Sequence, residues 1–248
     1  MTLYLYLFSL LFTRFETASI LDKSKLYVYD VYFIEQNGDT LTKEKISFKP
    51  SDNPWKYQKE YQKEIEYIYM PDYSGLKRFI HPLKGFEKRI ERNTKKSFNR
   101  KSWSNYTWIN KYEKTGFVES DSVLWIHPPR SNQYCYNDLT AFPEVKFNEL
   151  KEGGKWESKT YILKGYPSNS EFVGIRYDSY KVGRPLSCSL FSKQIEKCWL
   201  IETTSKHSKL PESRANFIFH KDYGFISMEY FFYNGIKIIY KLQQIVLQ

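Results

Sequence analysis

Apolar and polar side chains alternate along much of this chain, a rhythm that predicts extended strands. It is clearest at the end, where Ile236, Ile238, Tyr240, Leu242 and Val246 fall on one face and Lys237, Lys241 and Gln243 on the other. One face is buried and the other wet. Residues 225–233 and 236–247 flank Asn234-Gly235, and residues 26–35 and 40–49 flank Asn37-Gly38. Asn-Gly between alternating runs is a strong short-range hairpin signal, so two hairpins are predicted. Further strands are expected over residues 117–126, 156–165, 172–182, 194–205 and 215–220, each bounded by Gly, Pro, Ser or Asn clusters. His127-Pro128-Pro129-Arg130 ends the first of these, because consecutive prolines cannot sit in a central strand. Residues 131–143, with Asn132, Asn137 and Asp138, read as a loop.

Two segments keep a helical period. From Trp55 to Met70, Tyr57, Tyr61, Ile65 and Ile68 recur at spacings of four, four and three, which suits an amphipathic helix, although residues 65–70 fit a strand equally well. Phe79, Leu83, Phe86 and Ile90 suggest a surface helix. Strands at this density, with one or two minor helices, predict a mainly β protein. Its form is either an antiparallel sandwich or an open, barrel-like sheet. A chain of 248 residues buries enough surface to need no staple, and residues 20–248 are expected to form a single β-rich domain with a basic, partly helical insertion at about 71–102.

Composition sharpens this picture. Aromatic residues make up 19% of the chain, with 22 Tyr, 18 Phe and 6 Trp, and rings of this kind favour pleated, half-buried surfaces. The net charge of +10 is concentrated in one window. Lys77, Arg78, Lys84, Lys88, Arg89, Arg92, Lys95, Lys96, Arg100 and Lys101 face only Glu87 and Glu91, giving +8. With Phe79, Phe86, Phe98, Trp103 and Tyr106 interleaved, the window could stack on single-stranded nucleic acid, meet a lipid or other anionic envelope surface, or be merely solvated. Nucleic acid is the weaker partner if the chain is exported.

Export is the expectation from the N-terminus. Residues 3–12 form a ten-residue apolar run, the length of a signal-peptide core and too short for a membrane-spanning helix. No basic residue precedes the run, and Thr17, Ala18 and Ser19 only loosely match a cleavage site. Residues 1–19 are therefore a candidate signal peptide, with a buried first element of the fold as the alternative. The destination would be periplasmic or secreted.

Candidate chemistry is sparse. Cys188 and Cys198 flank a reversal near Ser192 and could be bridged, or stay as buried thiols, while Cys135 is left over. His81, His127, His207 and His220 have no metal-ligand spacing, so neither a metal nor a cofactor is expected. No serine-nucleophile elbow is present. Asn105-Tyr106-Thr107 is a glycosylation sequon, meaningful only in a eukaryotic secretory pathway. Glu202 and Glu229 would have raised pKa values if they faced inward, although residues of this kind are more often on the solvent face. The best catalytic candidates are Asp121, His127 and Arg130 at a strand end; the plainer reading is a strand terminus with Arg130 paired to a carboxylate.

Asp121-Ser122-Val123-Leu124-Trp125-Ile126-His127-Pro128-Pro129-Arg130, and Cys198-Trp199-Leu200-Ile201-Glu202 with Tyr223-Gly224-Phe225-Ile226-Ser227-Met228-Glu229-Tyr230, resemble a group of exported bacterial β-rich proteins of no known activity. The resemblance covers about the last half of the chain and implies export and β-structure. The pattern is also similar, at the level of fold, to periplasmic lipid and lipoprotein carriers whose half-open barrels hold an acyl chain. Three functions follow as expectations: a non-enzymatic carrier-like module with an aromatic-lined concavity for an apolar or amphipathic ligand, an envelope interaction protein docking through the basic window, or a hydrolase-like enzyme centred on His127.

Overall fold

The computed structural model describes residues 19–70, 112–130, 132–162 and 173–248. Twelve strands form one antiparallel sheet: β1 (Lys25–Ile34), β2 (Thr40–Pro54), β3 (Lys63–Met70), β4 (Tyr112–Glu119), β5 (Val123–Ile126), β6 (Glu144–Lys146), β7 (Lys155–Ile162), β8 (Gly174–Leu190), β9 (Lys193–His207), β10 (Ser213–His220), β11 (Gly224–Phe231) and β12 (Lys237–Leu247). Their spatial order is β6-β5-β4-β3-β2-β1-β12-β11-β10-β9-β8-β7. Each strand therefore pairs with its sequence neighbour, and β1 pairs with β12. The exception is β6 and β7, which are the two edges. The sheet is thus a nearly closed barrel with one open seam in mid-sequence, and of the two predicted architectures the barrel-like one holds.

Both Asn-Gly reversals lie where predicted. Glu35 N–H donates to Asp39 O, Gly38 N–H to Glu35 O, and the second hairpin repeats this with Phe232, Ile236 and Gly235. Within these two loops the residues with positive φ are Gly38 and Gly235, at 92° and 84°. These are three-residue loops ending in a left-handed glycine. The tightest reversal is instead at Phe191-Ser192, both left-handed at φ 52° and 60°, closed by the pair Leu190↔Lys193.

Inward faces are dense with rings. Tyr27, Tyr29, Val31 and Phe33 of β1, Ile46 and Phe48 of β2, Ile65, Tyr67 and Tyr69 of β3, and Tyr240 of β12 are all at most 5% exposed. Burying each such side chain contributes on the order of 2–3 kcal/mol. The predicted face of β12 holds through Leu242 and then inverts. A bulge at Val28/Tyr29 skips Gln243, so Ile245 packs against the core and Val246 is exposed.

Two expectations are corrected. Residues 55–62 are a turn and 63–70 a strand, not an amphipathic helix: Tyr57 and Tyr61 are exposed, while Ile65, Tyr67 and Tyr69 are buried at period two. The supposed loop at 131–143 carries a 3-10 helix, Asn132–Leu139, that fills the barrel instead of lying on its surface. Tyr134 is fully buried against Phe33 and Tyr69, and its hydroxyl donates to Glu44 Oε2 at 3.1 Å. The Asn137 amide donates to Pro129 O and to Tyr240 Oη, each at 2.7 Å. The core of the barrel is therefore a plug tied down by polar bonds, not an empty lumen.

Candidate signal residues 1–18, the basic window from Lys77 to Lys101 with its helix, and the sequon at Asn105 lie outside the described residues. Among the described residues no helix is long and apolar enough to cross a membrane.

Candidate cleft at the barrel seam

A cleft of about 620 Å³ opens where the barrel fails to close. One wall is the free edge of β7, residues 158–162. The other is the β2–β3 turn, with Trp55, Gln58 and Gln62, together with Trp125 of β5 and the His127 and Arg130 that follow it. Asp138 and Phe142 of the plug line the same cleft. The β2–β3 turn can lie close over β4 because residue 116 is glycine. A Cβ there would stand 1.9 Å from Gln62 Oε1 and 2.9 Å from the Trp55 ring.

The prolines turn the chain inward after β5. Tyr67 Oη donates to the His127 carbonyl, and the His127 ring stacks at a tilt on Phe142, 4.8 Å between centroids. His127 Nδ1 lies 2.8 Å from Pro128 O, which can only accept, so Nδ1 carries the proton and Nε2 is left as an acceptor. Nε2 faces Asp138 Oδ1 at 3.8 Å, too far for a hydrogen bond, and that buried oxygen has no hydrogen-bond partner. Burial pushes Asp138 up to about 7 and, with Arg130 adding to the effect, His127 down to about 4. At neutral pH the imidazole is uncharged.

Arg130 is held by Glu113, Nε to Oε1 at 2.9 Å and backbone N to Oε2 at 3.0 Å, while Tyr69 Oη also donates to Oε2. This is the carboxylate pairing of the plainer sequence reading. Beneath β7, the fully buried Arg176 donates through Nε to both Asp178 oxygens, at 2.9 and 3.0 Å, and through its terminal nitrogens to Asp138 O and Thr160 Oγ1. Its guanidinium lies 4.3 Å over the Phe142 ring.

Of the three catalytic candidates, His127 and Arg130 come together in the cleft. Asp121 does not: it sits exposed in the β4–β5 turn. Asp138, Glu113 and Trp55 take its place. The hydroxyls on the facing wall are engaged elsewhere, Thr160 with Arg176 and Ser158 with Asp178 at 3.5 Å, so neither is bonded to His127. Glu202 is exposed, and among the described residues Glu144 is a second acid lifted by burial, up to about 7. Asp138 gave no sequence signal beyond that of a turn former, since its role depends on a 3-10 helix entering the barrel.

Cys188 and Cys198 sit on adjacent strands across the β8–β9 hairpin as free, buried thiols. Burial first, and the Cys188 thiol beside it second, push Cys198 up to about 12. Among the described residues no three His, Cys, Asp or Glu side chains gather as metal ligands.

No protein-family model and no curated protein matches the chain. Among solved structures it is similar to a "putative exported protein with YmcC-like fold" from Bacteroides fragilis, at 8% identity and TM-score 0.40. It is also similar to a "putative lipoprotein" from Parabacteroides distasonis, at 11% identity and TM-score 0.38. Each alignment covers 91% of this chain and 96% of the other.

Proposed function

We propose that the protein is an exported, non-enzymatic binding module of carrier-like type, with an amphipathic small molecule seated in the seam cleft. The cleft itself carries this reading: it is the size of a ligand pocket, walled by Trp55, Trp125, Phe142 and Tyr161, with a few convergent polar groups. The lumen does not serve, because the plug fills it. Export is supported by the apolar run at residues 3–12 and by the exported group that the two sequence stretches resemble. Binding rather than catalysis is supported by the surroundings of His127, where no described residue is an activated nucleophile. Native mass spectrometry on protein purified from its own host tests both halves. The expected result is a retained small molecule, lost on Trp125→Ala, and a mature N-terminus near residue 20. A bare, full-length mass, with no tryptophan fluorescence response to a small-molecule extract of the host, would refute the proposal.

A further inference from the structure

Hydrogen-bonding capacity in the cleft is unbalanced, and the imbalance describes the ligand. His127 Nε2 and Asp138 Oδ1 are both turned to the same space, 3.8 Å apart, with no donor between them. Gln62 Oε1, in the same wall as His127, is a further buried acceptor without a hydrogen-bond partner, but it is turned against Gly116. Asp138 is only 8% exposed, so leaving its oxygen unpaired is costly. An acyl chain would leave His127 Nε2 and Asp138 Oδ1 unpaired. A ligand ammonium would satisfy them but would stand near Arg130, which lines the same cleft, and near Arg176, bonded to the Asp138 carbonyl. What remains is a neutral molecule with several donors on a compact, partly apolar frame.

Resting on the binding reading above, we infer that the cleft takes a saccharide. Neighbouring hydroxyls of one sugar ring donate to His127 Nε2 and Asp138 Oδ1, and the apolar face of the ring lies on the aromatic wall. Two adjacent ring hydroxyls fit the 3.8 Å gap, one hydrogen to each acceptor. Trp125 packs with Phe142 at 5.8 Å and supplies a firm ring surface, while Tyr161, 60% exposed beside the cleft mouth with the Lys159 ammonium 4.9 Å from its ring centre, offers a second ring surface for a further sugar unit. A site built to bond hydroxyls rejects ligands that lack them, because its own buried groups are then unpaired.

Tryptophan fluorescence titration of the full chain tests this with maltohexaose, cellohexaose and chitohexaose as saccharide probes and laurate as the acyl probe. At least one hexasaccharide should bind and laurate should not. His127→Phe and Asp138→Leu should each weaken that saccharide at least tenfold, while Lys181→Ala on the outer face leaves it unchanged. Laurate binding with no saccharide response overturns the sugar and leaves the cleft as a binding site. No response to any probe overturns both. Saccharide binding that is equally tight in His127→Phe and Asp138→Leu overturns the assigned contacts. Trp125→Leu, expected to weaken binding as well, decides the matter if either polar variant fails to fold.

Discussion

Arg176 and Asp178 are both 0% exposed, two residues apart on β8, and they link three parts of the molecule. The guanidinium holds its own carboxylate partner, the backbone of the plug at Asp138, the hydroxyl of Thr160 on the β7 edge, and the face of Phe142. Arg176→Met keeps most of the volume and removes every one of these polar bonds. Deleting one member of a buried pair strands the other charge and costs about 3–5 kcal/mol. For a domain of this size each kcal/mol lowers Tm by about 2–4 °C, so a fall of roughly 6–20 °C is expected by circular dichroism. Asp178→Leu should cost a similar amount for the same reason. The double variant leaves no stranded charge. It should lie only about 1–2 kcal/mol below the wild type, the remainder being the lost bonds to Asp138 O and Thr160. A loss under about 1 kcal/mol in Arg176→Met, or strictly additive losses in the double variant, would refute the idea that this pair is a buried, mutually dependent unit.

Three other outcomes follow from the same interior. Asp138 and Glu144 hold protons in the folded state up to about pH 7, so their share of stability is complete below the unfolded carboxyl values near 4 and is lost as pH rises through 7. His127 works oppositely, its folded value near 4 lying below the unfolded 6.5, so its share is lost as pH falls through that window. The net is about one proton, or ~1.4 kcal/mol per pH unit of declining stability between pH 5 and 6.5, and Asp138→Asn should flatten it; equal urea-derived slopes in the two proteins would contradict these assignments. Oxidised glutathione should slowly convert Cys188 and Cys198 to an intramolecular disulfide worth about 2–3 kcal/mol, seen by peptide mass mapping, with glutathione adducts alone as the contrary result. Asn137→Ala should cost about 2–3 kcal/mol and speed amide exchange across residues 132–139; unchanged exchange would mean that the plug is held by its tyrosines and not by this amide.

Period-two alternation was legible because it records a local fact, that successive strand residues face opposite ways. It set the strand content, both Asn-Gly hairpins and the buried face of β12 up to Leu242. It failed wherever a distant partner decided the outcome. Val246 is exposed because a bulge on the β1–β12 ladder skips one residue, and β1 lies over two hundred residues away in sequence. Tyr57 and Tyr61 share a helical spacing with Ile65, yet the β2–β3 reversal leaves both in solvent. Phe191-Ser192 forms the tightest turn with no glycine, since the ladder of β8 and β9 imposes a backbone that the residues themselves disfavour.

The candidate site divides the same way. His127 and Arg130 were visible as polar residues at a proline-terminated strand end. Asp138, Glu113 and Trp55 were not, because nothing local marks a turn-forming Asp-Leu as the floor of a cleft. Local residue pattern was enough to dictate strands, reversals and an excess of rings to bury. Only long-range pairing made β1 and β12 neighbours in the middle of the sheet, left β6 and β7 as its edges among the described residues, and set a 3-10 helix inside the barrel. Those outcomes depend on which edges find hydrogen-bond partners across the whole chain, a global condition that no window of residues contains.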